Sequence, residues 1–348
     1  MILDLPTPSN LRVFWNFGFI LGGALSLQIV TGLLLALTYS TGGLIFESLF
    51  YMLEIHDFGW FIRICHANGA SLFFIFIYIH VGRGLYYGRY YNAATWLVGR
   101  AILLLLMAGA FLGYVLPINQ MSFWGASVIT NLFREFPVFG GSIVTLIWGG
   151  PLVSGVTVTR FFCLHFIIPF IILFIVLLHI IFLHTFGSRN PSGFRSGSDK
   201  VIFFVYSSKK DLGVLFFFMV LFFLLVFFKP FTLGDNENFT EANSLVTPHH
   251  IQPEWYFLFS YAILRSVPRK LGGVIALIIS ILILFFLPFI YRVLYVGAIF
   301  NFLKKVLFWF FLNLLLLLTW IGACPVEYPY TRLGQIFSFF YFVYFLFI

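Results

Sequence analysis

The sequence has little charge and little cysteine. Only 9% of its 348 residues are Asp, Glu, Lys or Arg, against 61% hydrophobic residues and a mean hydropathy of +1.02. A water-soluble domain needs a charged surface to cover its core, so this composition excludes one and implies an integral membrane protein. The cysteines are three, Cys65, Cys163 and Cys324, with no CxxC and no CxxCH spacing. That disfavours a disulfide framework, a zinc ribbon and covalent attachment of a c-type haem, and leaves packing as their default role. No soluble segment is long enough for a nucleotide-binding domain, no cleavable targeting segment is expected before the polar opening at 1–10, and the first apolar stretch is too long for a signal peptide.

What is present is a series of charge-free intervals of membrane-spanning length. A bilayer core about 30 Å thick needs roughly 20 apolar residues per helix. Residues 13–46, 64–82, 101–133, 161–188, 212–228, 271–291 and 306–326 qualify, and 333–348 forms a short eighth. The expected fold is therefore an all-α membrane protein of eight transmembrane helices, the first four forming a four-helix bundle. Two regions are expected, 1–200 and 201–348, with interfacial loop helices at about 117–158 and a long loop at about 232–270. The charge-free interval 136–159 is too rich in Gly and Pro for an unbroken span.

Charge placement orients this topology. With eight spans the termini share one side, which collects Arg12, Arg83, Arg89, Arg100, Arg189, Arg195, Lys200, Lys209, Lys210, Arg292, Lys304 and Lys305 against Asp4, Asp199 and Asp211. Lys and Arg accumulate on the non-translocated, negative side. The formal net charge of +8 is thus an orientation signal, and nucleic-acid binding is not expected.

Four histidines carry the chemistry. His66 and His80 lie fourteen residues apart on the second span, and His165 and His179 fourteen apart on the fourth. Fourteen helical steps return to within about 40° of the starting direction and climb ~21 Å. Both spans are even-numbered and run the same way, so His66 meets His165 at one level and His80 meets His179 at the other. Two stacked bis-imidazole sites suit a pair of haems. A histidine that merely hydrogen-bonds to a neighbouring helix is the bland alternative for one residue, but accounts poorly for two matched pairs. Zinc shared with Cys65 is disfavoured, because adjacent helical residues point about 100° apart. Gly18 and Gly32 on the first span, and Gly99 and Gly113 at the ends of the third, repeat the fourteen-residue interval and would let a flat cofactor approach the backbone. Arg63 and Arg83 flank the histidine helix, where guanidinium groups either pair with haem propionates or snorkel to the interface. GRGLYYG at 82–88 fails the GxGxxG spacing and follows a membrane helix, so no dinucleotide site is expected.

Several strings then carry a resemblance: LDLPTPSNL at 3–11, RICHANGAS at 63–71, HVGRGLYYG at 80–88, GYVLP at 113–117, QMSFWGASVITN at 120–131, TRFFCLHFIIPF at 159–170, FLHTFGSRNP at 182–191 and PEWYFLFSYAILRS at 253–266. Along nearly its whole length the chain resembles the mitochondrial cytochrome b family. The resemblance implies two non-covalent b-type haems, the low-potential one on His66 and His165 near the positive side and the high-potential one on His80 and His179 near the negative side. It implies a quinol-oxidation pocket at Glu254 and Tyr256 with Tyr114, Gly125 and Tyr261, and a quinone-reduction pocket at His184, Ser188, Lys210 and Asp211. Ubiquinol and ubiquinone are the implied substrates. A Rieske-type iron–sulfur subunit, a cytochrome c-type haem subunit and other complex III subunits are the implied partners, in a dimeric, proton-translocating complex of the mitochondrial inner membrane.

The sequence departs from the family pattern at Ile118–Asn119, where Trp-Gly is usual, at Thr145–Leu146, where Glu-Trp is usual, and in an early stop of the last helix. Rival readings are a ferric-reductase or NADPH-oxidase type haem conduit, which needs a nucleotide-binding domain, and a transporter whose histidines relay protons without a cofactor. A chloroplast-type homologue would divide this span between two chains.

Overall fold

Backbone amides in a bilayer have no water to bond, so long apolar runs close their hydrogen bonds internally as helices. The computed structural model describes residues 4–43, 45–55, 57–188, 190–192, 196–290 and 301–347. In chain order its helices are α1 (Phe17–Ala36), α2 (Ile45–Ile55), α3 (Gly59–Tyr86), α4 (Ala93–Val115), α5 (Gln120–Asn131), α6 (Gly140–Trp148), α7 (Gly155–Phe186), α8 (Phe203–Phe228), α9 (Leu258–Ser266), α10 (Lys270–Ile290), α11 (Phe302–Ala323) and α12 (Tyr330–Phe347). Two short strands, β1 (Pro6–Pro8) and β2 (Lys200–Ile202), pair antiparallel and tie the N-terminal segment to the start of α8. The expected basic residues Arg189, Arg195 and Arg292 lie outside the described residues.

Seven of the described helices, α1, α3, α4, α7, α8, α10 and α11, are long and apolar enough to cross a membrane. The expected eighth, α12, is eighteen residues long with Arg332 in its first turn and falls outside that set. The structure shortens two expected spans. The interval 101–133 breaks after Val115 into α4 and α5, because Pro117 lacks an amide hydrogen and Asn119 opens a new helix: its side chain accepts from the Ser122 amide while the Ser122 hydroxyl accepts from the Asn119 amide. The departure from glycine at 119 thus supplies a capping box. Between them Ile118 adopts φ 47°, a left-handed conformation costly for a β-branched residue. The interval 13–46 likewise ends at Ala36, and α2 begins at Ile45. The interfacial helices expected near 117–158 are present as α5 and α6.

α1 packs against α3, and α4 against α7, which brings together the four spans expected to form the bundle. Their shared core includes Ile20, Phe73, Phe76, Leu112, Phe161 and Ile172. A second core joins the C-terminal half to α3 and α4 through Phe74, Tyr256, Ile263, Leu287, Phe311 and Tyr341. Here α9 is wedged among α10, α11 and α12. Gly322 of α11 lies against the Leu258 backbone so closely that a side chain at 322 has no room. The Arg265 guanidinium donates to the carbonyls of Gly322 at 2.9 Å and Cys324 at 2.7 Å, placing a cation at the negative end of the α11 dipole.

Candidate haem and quinone sites

α3 and α7 present their histidines to one another level by level. The His66 and His165 rings have centroids 6.2 Å apart with planes at 85°, and His80 and His179 are 6.4 Å apart at 57°. Each separation is close to what two metal–nitrogen bonds of about 2 Å plus the ring radii require. Hydrogen bonds fix the tautomers at the first level. The Thr31 hydroxyl donates to the Leu27 carbonyl at 2.6 Å, so its oxygen accepts from His66 Nδ1 at 2.9 Å. His165 Nδ1 donates to the Gly109 carbonyl at 2.7 Å. Both arrangements leave Nε2 unprotonated and available as a ligand. Gln28 also holds this level by donating to the His66 carbonyl at 2.9 Å.

The four glycines singled out by spacing each face one of the four histidines. A Cβ at Gly32 would lie 3.0 Å from His66 Cε1, one at Gly99 3.0 Å from His179 Cε1, and one at Gly18 3.5 Å from His80 Cε1, while at Gly113 it would collide with the His165 ring. The pairing therefore depends on backbone-close packing of α1 on α3 and of α4 on α7. Among the described residues no group of three or more His, Cys, Asp or Glu comes together to hold a metal. Two opposed imidazoles fit an ion whose remaining positions are filled by a macrocycle.

A cavity of about 460 Å³ opens beside the first level. Its walls include Gly32, Arg63, His66, Gly113, Tyr114 and His165, and it extends to Asp235, Glu254 and Tyr256. Glu254 is held there by its neighbours. Trp255 Nε1 donates to Ser71 Oγ at 3.1 Å, the Tyr78 hydroxyl donates to the Tyr256 carbonyl, and the Tyr256 ring stacks on Phe74 at 3.9 Å and 3°. All three anchors are on α3, the helix that carries His66. Burial, reinforced by the charge of Asp235, pushes the Glu254 carboxyl up to about 7. Asp235 in turn meets His250, with Oδ2 3.1 Å from Nε2, and the imidazole is more than half exposed. The Tyr114 hydroxyl donates to Asn238 Oδ1 at 3.2 Å. Two expected members of this pocket stand back from it: Gly125 is buried on α5, and Tyr261 donates to the Ile251 carbonyl at 3.2 Å, bracing the loop before Glu254. Neither lines the cavity.

On the opposite side the structure ties Asp211 and Lys210 to the N-terminal segment. Asp211 is buried and accepts from the Asn16 amide at 2.6 Å. Lys210 Nζ donates to the Leu11 carbonyl at 3.3 Å and to the Tyr206 hydroxyl at 2.8 Å. His184 is exposed near the end of α7, Ser188 is half-buried just beyond it, and among the described residues neither hydrogen-bonds to Lys210 or Asp211. Arg63 lines the first-level cavity, and the Arg83 guanidinium lies 3.3 Å from His80 Nδ1 and over the Trp15 ring.

Residues 2–187 match the family described as cytochrome b/b6/petB, and residues 241–342 match that described as cytochrome b(C-terminal)/b6/petD. The chain belongs to the cytochrome b family. A solved structure titled hyperthermophilic respiratory Complex III is similar over 99% of this chain and 92% of that chain, with 31% identity and a TM-score of 0.93.

Some polar contacts of this cytochrome b fold had no signal in the sequence. Thr31, Gln28 and Asn16 are ordinary polar residues in a span or at its mouth, and only packing reveals that they hold His66 and Asp211. Asp235 carried a faint signal, as an acid in a turn-rich loop nineteen residues before Glu254.

Proposed function

We propose that this chain is the haem-bearing cytochrome b subunit of a quinol–cytochrome c oxidoreductase, oxidising quinol on the positive side of a membrane and reducing quinone on the negative side. The observation that carries this reading is the pair of opposed histidines at each of two levels, with the buried Glu254 on the cavity beside the first. His66 with His165, and His80 with His179, would each hold one b-type haem, in the environment of Gly32 and Gly113 at one level and Gly18 and Gly99 at the other. When bound, the two haems supply one-electron carriage across the bilayer.

The chain's own residues handle protons and substrate. A quinol hydroxyl near the cavity gives its proton to the Glu254 carboxylate, whose raised pKa lets it alternate between acceptor and donor near neutrality. Asp235, which lowers the ease of ionising Glu254 and meets the exposed His250, would relay that proton toward the positive side. Tyr114, Tyr256, Tyr261 and Gly125 shape the surroundings of that step. On the negative side Asp211, Lys210, Ser188 and His184 bind quinone and supply protons, Asp211 from a position fixed by Asn16.

The reading divides the chain at 200/201 into a two-haem region and a region that carries the Pro253–Glu254–Trp255–Tyr256 loop. It includes an iron–sulfur subunit, a cytochrome c-type subunit and a dimeric complex as partners. It also includes ubiquinol as the substrate and the mitochondrial inner membrane as the location. These rest on the resemblance of the quoted strings, and the partners also on the similarity to a Complex III structure. A redox difference spectrum with haem stoichiometry on the purified complex is the test. Two b-type haems per chain are expected, and a chain with none would overturn the reading in favour of a cofactor-free transporter.

A further inference from the structure

Arg100 follows Gly99 on α4, seven residues in from Ala93 and so roughly 10 Å along the helix. It is 4% exposed. Its Nε and Nη1 have no hydrogen-bond partner, and among the described residues no carboxylate lies within ion-pair distance of it. The guanidinium sits over the Trp96 ring at 4.3 Å, and its charge bears on both the His80 and the His179 rings.

A buried, unpaired guanidinium is expensive, by several kcal/mol per ion even after relaxation, so such a residue calls for an anion. Three classes of ligand reach this depth of a membrane bundle. A quinone is neutral. A lipid phosphate approaches from the bilayer, whereas this group is almost wholly enclosed by protein. A haem held by His80 and His179 carries two propionate carboxylates, which match the planar fork of a guanidinium.

The two levels also differ in sign. The cavity at His66 and His165 holds Arg63 together with the acids Asp235 and Glu254. The level of His80 and His179 holds Arg83 and Arg100. Cations favour the reduced form of a redox group and anions the oxidised form, so the second site is the easier to reduce. Resting on the haem reading of the previous section, we propose that Arg100 binds a propionate of the haem at His80 and His179 and, with Arg83, raises its midpoint potential above that of its partner.

The test is potentiometric titration of both haems in membranes carrying the whole complex with Arg100→Gln or Arg100→Lys. In Arg100→Gln the His80/His179 haem should become harder to reduce, its reduced-to-oxidised ratio at fixed potential falling about tenfold, a 59 mV shift for one electron. The His66/His165 haem should not move. Arg100→Lys should restore part of the shift. Full haem content with both potentials unchanged in Arg100→Gln would overturn the proposal, and so would a shift that tracks the anionic phospholipid content of the membrane. If Arg100→Gln fails to assemble, infrared redox-difference spectra of Arg100→Lys with haem ¹³C-labelled at the propionate carboxyls decide it: a shifted carboxylate band supports the contact, and an unshifted one overturns it. Absence of any b-type haem from the unaltered complex would instead sink the underlying haem reading.

Discussion

The Asn16 side-chain amide donates to the Asp211 carboxylate at 2.6 Å, and both residues are buried. This single bond joins the mouth of α1 to the third turn of α8 and gives Asp211 a fixed direction beside the proposed quinone-reduction pocket. Asp211→Asn should slow reoxidation of the negative-side haem by quinone, toward the low end of the ~10²–10⁴-fold typical of a lost acid–base group. Quinol-driven haem reduction with that pocket inhibited should stay normal. Asp211→Leu should in addition destabilise the protein by about 1–3 kcal/mol, because the Asn16 amide loses its acceptor. Flash-induced haem kinetics and thermal melts separate the two effects, and equal slowing of both half-reactions by Asp211→Asn would assign the residue to structure alone.

Level-by-level pairing predicts selective haem loss. His80→Leu or His179→Leu should remove one haem and leave the spectrum of the other intact, since His66 and His165 share no ligand with that site. Haem-selective spectra of each variant check this. Disturbance of the same haem by His80→Leu and His66→Leu would contradict the pairing.

The pH dependence of quinol oxidation follows from Glu254. Below about 7 its carboxyl is protonated and cannot accept a proton; above that value it can. The pre-steady-state rate of His66/His165 haem reduction, with the opposite pocket inhibited, should therefore rise through about pH 7 and then level. Glu254→Gln should lose this inflection and run roughly 10²-fold slower or less, as water or other groups take part of the role. Asp235→Asn removes a charge that helps raise the Glu254 pKa, so the inflection should move to lower pH. A Glu254→Gln rate unchanged at every pH would show that the proton leaves by another route.

The glycines should rank by the room behind them. Gly113→Ala brings a methyl into the His165 ring and should cost the positive-side haem, whereas Gly18→Ala meets His80 only at ordinary van der Waals distance and should retain both haems. Haem content per chain measures the difference. Equal tolerance of both substitutions would argue that the backbone spreads to accommodate them.

Composition and spacing alone were enough to read the membrane class, the histidine pairs and the four glycines that share their interval. These are legible because helical periodicity is rigid: a fourteen-residue interval fixes both direction and rise on any straight helix. The sequence also marked Glu254, through a motif string, without saying that its loop is anchored to α3. Where the spans end was less legible, because a charge-free interval runs on through a break such as Val115 to Gln120, and hydropathy does not register a capping side chain or a positive φ. Which buried polar atoms find partners emerges only once the helices are packed. Asn16 with Asp211, Thr31 with His66, and the unpartnered Arg100 beside His80 and His179 all depend on how separate helices rotate against one another. That rotation is set by packing across the whole bundle, which no local pattern of residues specifies.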